Sequence, residues 1–337
     1  MRRIIDFEKR PYIISSASVV GKEERDGPLG ELFDFSDPTD RFGQDTWEKA
    51  EGEMGRISLA LAMEKAGLSR DKIDVLFAGD LENQCVASSC GLYSFGIPYI
   101  GLYSACSTCT EALLLLSSMI GSGQIACGAT VTTSHNSAAE RQFRTPIEYG
   151  AQRTPTSQWT ATAAGAFILS CEKGSDIYVD NAMVGKIVDG LSTDGSNMGM
   201  AMARSAYDSV YTYLSLREEK INTLDAIITG DLGRLGSDIF CEMIKKEFSR
   251  AAEIHLDCGA ILYDKNKKNS GAGASGCGCS ASVLSSHILP RMKSGELSDI
   301  LFISTGALMS PGSILQGENI LGIAPIINIR REKNNAS

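Results

Sequence analysis

Positive charge is scarce in this sequence. Its 337 residues carry 32 Lys and Arg against 41 Asp and Glu, a net charge of −9, and such a chain repels phosphate backbones and gains nothing from anionic lipid by charge. Nucleic acid is therefore not expected as a partner. Long apolar runs are missing too. Between Asn83 and Ala139 the only formal charge is Glu111, yet Gly, Ser, Thr and Pro98 recur and the apolar run at Ala112–Leu116 is brief, far short of the ~20 residues a membrane span needs. After the basic start at Arg2 and Arg3, the charged residues Asp6, Glu8, Lys9 and Arg10 break what would be the apolar core of an export signal, so no signal peptide is expected. The ten cysteines are irregularly spaced. That excludes the dense disulfide framework of a small secreted domain and points to reduced thiols in an intracellular protein. Histidine is limited to three residues, which leaves few groups for acid–base work near neutral pH.

What is present centres on Ser104-Ala105-Cys106-Ser107-Thr108, where a short apolar run, Pro98 to Leu102, feeds into a cysteine that opens a helix-patterned segment. The unpaired N–H groups and the positive dipole end of a helix start favour thiolate over thiol. They also hold carboxylates and other anions. A catalytic thiolate and an anion-binding pocket therefore both fit this stretch.

The sequence repeats once. Lys72 to Leu81 (KIDVLFAGDL) returns as Thr223 to Leu232 (TLDAIITGDL), each copy reading as a short buried strand after a helical stretch, Thr46 to Ala66 and Met202 to Lys220. Ser104 to Ser134 likewise matches Ser275 to Gly306 in plan: a small-residue elbow, a helix, a Ser-Gly turn and an apolar strand. Strands alternating with helices predict an α/β protein with mostly parallel sheets covered by helices. Duplication predicts two βαβαβ halves, 1–173 and 174–337, about a pseudo-twofold axis. The helices starting near Cys106 and Cys277 would then be buried partners whose elbows face a shared cavity. Two polar excursions, 21–43 and 135–162, interrupt the first half.

The run Gly271-Ala272-Gly273-Ala274-Ser275-Gly276, together with the duplicated halves and the cysteine elbow, resembles the thiolase-fold family, which implies a five-layered α-β-α-β-α arrangement. Ser270 stands where that family carries a histidine, and the glycine-containing turn Leu321 to Ile327 holds neither histidine nor cysteine. Claisen or thiolysis chemistry needs a thiolate, a base to generate it and a further acid or base. His255 and His287 read as structural, leaving His135 at a strand end as the one candidate base.

Gly27-Pro28-Leu29-Gly30, Ala78 to Leu81, Ala105 to Thr108, Ser134-His135-Asn136, Ala139 to Arg144 and Thr305 to Leu308 are similar to thiolase-like sporulation proteins of spore-forming bacteria. That resemblance implies a non-catalytic binding protein for dipicolinic acid, pyridine-2,6-dicarboxylate, or its calcium chelate. It further implies a part in uptake into the developing spore and release at germination, beside membrane proteins of the same operon and peripheral to the spore inner membrane. A homodimer through first-half strands follows from the same source. The alternative is a thiolase or ketoacyl-synthase-type acyltransferase, with Cys106 as nucleophile and His135 as base.

A planar dicarboxylate needs donors for both carboxylates and a flat apolar slot. Candidate donors are the elbow amides and hydroxyls of Cys106, Ser107, Thr108 and Ser275, joined by Ser134, His135 and Asn136. Arg141 and Arg144 could clamp a carboxylate, or simply pair with Glu140 or Glu148. Asp189 and Asp194 sit in Asp-Gly turns that could meet a calcium ion arriving with the ligand, although turn formation alone explains them. No resident metal or cofactor is expected. The Cys106/Cys109 and Cys277/Cys279 pairs read as small buried hydrophobes ahead of redox or zinc sites.

Overall fold

The computed structural model describes residues 3–143, 153–265 and 271–332. Arg144, Glu148 and Ser270 lie outside the described residues.

Ten strands build the frame: β1 (Tyr12–Val20), β2 (Val75–Gly79), β3 (Tyr99–Gly101), β4 (Cys127–Ser134), β5 (Ala163–Ser170), β6 (Ile177–Met183), β7 (Ala226–Thr229), β8 (His255–Asp257), β9 (Asp299–Ile303) and β10 (Ile326–Arg331). Their order is β8-β7-β9-β10-β6-β1-β5-β4-β2-β3, with two short strands attached at the side. The path divides where β1 meets β6, at the single pair Tyr12–Tyr178. On either side lies a five-stranded sheet of the same order and sense. In each, one strand, β5 or β10, runs antiparallel to both neighbours while the three strands beyond it, out to the edge, pair in parallel. The sheets are thus mixed, with four strands of each running one way.

The duplication extends to side chains. Asp74 Oδ2 accepts from the amides of Ala126 and Cys127 at 2.9 and 3.0 Å, and Asp225 Oδ2 accepts from Ser298 and Asp299 at 2.6 and 3.0 Å. Each aspartate ties the entry of one parallel strand to the entry of the next.

Helices α1 (Trp47–Ala66), α2 (Val86–Leu92), α3 (Thr108–Gly121), α4 (Asn136–Phe143), α5 (Met198–Leu216), α6 (Gly233–Ile244) and α7 (Cys277–Val283) complete the layers. Strand alternation sorts the apolar residues. Phe167 and Leu169 of β5, Ile300 and Phe302 of β9, and Ile327 and Ile329 of β10 pack inward around Leu113, Leu116 and Ile120 of α3 and Ala281 and Val283 of α7. Their neighbours Ala166 and Ile168 face outward to Leu59 and Ala62 of α1. Leu301 and Ile303 face Met202, Val210 and Tyr213 of α5 and Phe240 of α6. Helix, sheet, helix pair, sheet and helix therefore follow one another, the arrangement that the thiolase-fold resemblance implies. The start of α1 is fixed by Thr46, whose hydroxyl caps the Lys49 amide, and its end by Gly67 in the left-handed region.

Candidate functional site

The apolar run before the elbow becomes edge strand β3, and Leu102 returns to β2 through its amide on the Ala78 carbonyl. The chain must then turn sharply into α3. Ala105 does this at φ 47°, a left-handed conformation costly for a residue with a Cβ, so the elbow exists because its surroundings hold it. Ser107 Oγ donates to the Ser104 carbonyl at 2.6 Å and to Ser104 Oγ at 2.7 Å, while Thr108 Oγ1 donates to the Ala105 carbonyl at 2.7 Å. The amides of Ser107 and Thr108 also close onto the Ser104 and Ala105 carbonyls. Ser107 and Thr108 therefore build the turn with donors directed inward, and neither borders the cavity described below.

Cys106 is buried and meets Asp231, which lies just beyond the end of β7. The Asp231 carboxylate stands beside the Cys106 thiol and accepts from the Gly276 amide at 2.9 Å and from Thr305 Oγ1 at 3.0 Å. Burial comes first and the carboxylate second in pushing the Cys106 thiol well above its ordinary range. This reverses the expectation from the helix start: desolvation and a neighbouring negative charge outweigh the helix dipole, and the thiol stays protonated. Asp231 itself is raised to about 7, chiefly by burial, with the Cys106 thiol opposing.

His135 stands apart from Cys106. Its Nε2 donates to the Asp40 carbonyl at 2.9 Å and its Nδ1 accepts from the Ser137 amide at 3.1 Å, while the Trp47 ring packs against it at 5.2 Å. Both nitrogens are committed to backbone, burial lowers its basicity, and it does not border the cavity. The expected base is a strut between α4 and the 21–43 excursion. Ser134 donates to the Ala161 carbonyl and accepts from the Gly278 amide, and Asn136 bonds Thr160 and Thr162. All three knit the 135–162 excursion to the core.

The cavity opens above the elbow, with a volume of about 450 Å³, within the range for small-molecule sites. Cys106 and Ser275 border it, with Ala105, Tyr103 and Thr160. The pairing of Ala274 and Ser275 with Trp159 and Thr160 brings the second-half elbow against the excursion and so forms one wall. Leu81, Phe143, Met198, Met309 and Ile314 supply apolar surface, and Glu140, Arg153, Ser157 and Gln158 supply polar groups. Arg153 pairs with Glu140 at 3.0 Å, lies over the Trp159 ring at 4.3 Å and donates to the Gln158 carbonyl at 3.2 Å. Gln158 Nε2 bridges the Asp231 and Ala274 carbonyls at 2.7 and 2.8 Å, and its buried Oε1 has no hydrogen-bond partner among the described residues.

Among the described residues, Arg153 is the cation on this cavity. Arg141 instead pairs with Glu48 at 3.0 Å, half-exposed and away from it. Asp189 holds the Leu191 amide and Asn319, and Asp194 holds the amide and hydroxyl of Ser196. Both make the turns their Asp-Gly sequences favour; Asp194 stands next to Gly195 and Ser196 of the rim. Among the described residues no group of three or more metal-binding side chains converges.

Sequence reasoning missed Arg153, Gln158 and Asp231. Asp231 was visible as the second Gly-Asp of the repeat, but its pairing with Cys106 was not. Its counterpart Asp80 serves a different end, accepting from Glu82 and Ser88.

Solved structures similar to this chain share its fold. The 3-oxoacyl-[acyl-carrier-protein] synthase III of Aquifex aeolicus VF5 superposes with TM-score 0.56 at 12% identity, covering 95% of this chain and 99% of that one. Cerulenin-bound OleA of Xanthomonas campestris gives TM-score 0.58 at 14% identity, over 95% and 97%. At these identities the likeness extends to fold alone. Among curated proteins, stage V sporulation protein AD of Bacillus subtilis (strain 168) is 38% identical over 318 residues, 94% of each chain. The stage V sporulation protein AD family matches residues 1–330. With the duplicated five-layer fold and this coverage, the chain belongs to the stage V sporulation protein AD family, sporulation proteins on a thiolase-like scaffold.

Proposed function

We propose that this protein binds dipicolinic acid, free or as its calcium chelate, in the cavity above Cys106 and performs no chemistry on it. The observation that carries this reading is the company of Cys106: a buried aspartate beside its thiol opposes ionisation, and no histidine among the described residues borders the cavity. A nucleophilic thiolate needs a base or a positive neighbour, whereas this site supplies a negative one. Arg153 gives a planar, bidentate donor for one carboxylate, Ser275 and Ser157 offer hydroxyls, and the apolar side chains form a slot for the ring. A calcium ion carried by the ligand would find oxygen at Gln158 Oε1 and Glu140.

Titration calorimetry with dipicolinate, with and without calcium, tests this. One saturable site is expected in at least one condition; absence of heat and of a thermal shift in both overturns the reading. The acyltransferase alternative draws on the elbow and on the synthase-like fold. It predicts an acyl adduct on Cys106 after incubation with acyl thioesters, read by intact mass, where the binding account predicts none.

The same proposal places the protein beside membrane proteins of its operon at the spore inner membrane, acting in uptake and in release at germination. Among the described residues no helix is long and apolar enough to cross a membrane, so attachment would come through partners. For a homodimer, the supporting feature is β3, an edge strand bonded to β2 alone, on which Tyr99 and Ile100 are exposed.

A further inference from the structure

Cys241 of α6 lies on the outer side of the second sheet, away from the cavity. Its Sγ is 3.3 Å from His255 Nδ1 on edge strand β8. On the other side of the ring, His255 Nε2 is 2.8 Å from Thr229 Oγ1, and Thr229 Oγ1 donates to Asp257 Oδ2 at 2.6 Å. Asp257 is itself immobilised by the amides of Leu232, Gly233 and Ala260 at 2.8 to 2.9 Å.

This chain of contacts fixes the tautomer. An aspartate fed by three amides orients the Thr229 proton toward itself, so Thr229 Oγ1 accepts from Nε2–H and leaves the Nδ1 lone pair facing the thiol. Phe240 packs on the imidazole at 4.7 Å and holds its plane. Ser237 Oγ, 3.2 Å from Nδ1, is the other donor at that nitrogen. Burial keeps His255 neutral, lowered to about 4, so its Nδ1 lone pair is free at neutral pH, a weak base that takes the thiol proton only as the S–O bond forms. Cys241 is only partly buried and not in a disulfide.

We propose that Cys241 is a modification site for hydrogen peroxide and small organic hydroperoxides, with His255 as its general base. Burial raises the Cys241 thiol, so the proton leaves during attack and no preformed thiolate is required. Sulfur attacks one peroxide oxygen as Nδ1 takes the thiol proton; the S–O bond forms and the O–O bond breaks. The departing hydroxide or alkoxide takes the proton back from Nδ1 and leaves as water or alcohol. Sulfur is oxidised to sulfenic acid as the peroxide is reduced. Cys241 differs from Cys106 in having an imidazole nitrogen 3.3 Å from its sulfur, while Asp238, Glu242 and Asp257 oppose its ionisation as Asp231 opposes that of Cys106.

The test uses the full chain, limiting hydrogen peroxide and dimedone, with each cysteine quantified by mass after digestion. Cys90, which is exposed, serves as the internal reference. In the unaltered protein Cys241 is expected to be trapped ahead of Cys90 despite its lower exposure. His255→Gln is expected to slow Cys241 by about 100-fold, the scale of a positioned base, with Cys90 unchanged. Thr229→Val, which keeps the side-chain volume and removes the relay hydroxyl, is expected to slow it as well. Cys90 reacting first in the unaltered protein overturns the proposal, a comparison that needs no variant to fold. An unchanged Cys241 rate in a folded His255→Gln protein overturns it equally.

Discussion

A cysteine at a sharp elbow before a helix is commonly a nucleophile, and the position of Cys106 leads the sequence to that expectation. Its chemistry depends on what lies opposite. Asp231 arrives from the other half of the chain, and a buried carboxylate beside a thiol opposes ionisation. The thiol consequently lines the pocket in its neutral form, and Cys106→Ala is expected to retain dipicolinate affinity within about 1 kcal/mol, the net worth of one ordinary contact, as measured by calorimetry. Asp231→Asn removes the negative charge while keeping the shape, so the thiol becomes more acidic. Alkylation of Cys106 by iodoacetamide near neutral pH, followed by intact mass, is expected to be slow in the unaltered protein and faster in this variant. Equal rates would show that the carboxylate does not govern the thiol.

The elements succeed because small residues sit where helices meet strands. Helix α7 approaches β5 so closely that a Cβ on Gly278 would lie 2.0 Å from the Ala163 carbonyl oxygen, and one on Gly165 2.6 Å from the Ala281 backbone. Backbone on both sides leaves nothing flexible to yield. Gly278→Ala is therefore expected to destabilise the protein by about 1–3 kcal/mol, with a lowered thermal midpoint; an unchanged midpoint would mean that the helix can shift freely. This layer of structure was legible in sequence, since buried strands with Gly-Asp ends repeat and the glycine-rich elbow marks close packing. The cavity chemistry was less legible. Ser107 and Thr108 look like donors until their amides and hydroxyls are seen closing the turn on Ser104 and Ala105. His135 sits at a strand end as a base would, but Asp40 and Ser137 claim both nitrogens. Arg153 was overlooked beside Arg141 because only the pairing of Trp159 and Thr160 with Ala274 and Ser275 brings its segment onto the cavity, a contact that no local pattern encodes.

At the scale of the molecule, the excursions clamp the two halves together. Glu24, in the first of them, accepts from the Thr162 amide at 3.0 Å and from the Tyr263 hydroxyl, joining both excursions to the second half. Burial raises this carboxyl from 4.5 to about 7. The folded protein thus keeps a proton that the unfolded chain releases near pH 4.5, so the stabilisation is complete below that pH and is lost as pH rises through about 7. Against Glu24→Gln, which keeps both hydrogen bonds without titrating, the unaltered protein is expected to lose up to about 3 kcal/mol between about pH 5 and about pH 8, from urea midpoints at each pH. A constant difference between the two proteins would remove Glu24 from the account.

The central claim is that the elbow cavity holds a dicarboxylate that its thiol does not attack. A crystal structure of the protein soaked with dipicolinate tests it most directly. The account predicts the ring in the apolar slot beside Met198 and Ile314, one carboxylate on Arg153, and Cys106 Sγ unmodified against Asp231. Ligand bound elsewhere with this cavity unfilled, or Arg153 still held by Glu140 beside a ligand that ignores it, would contradict it.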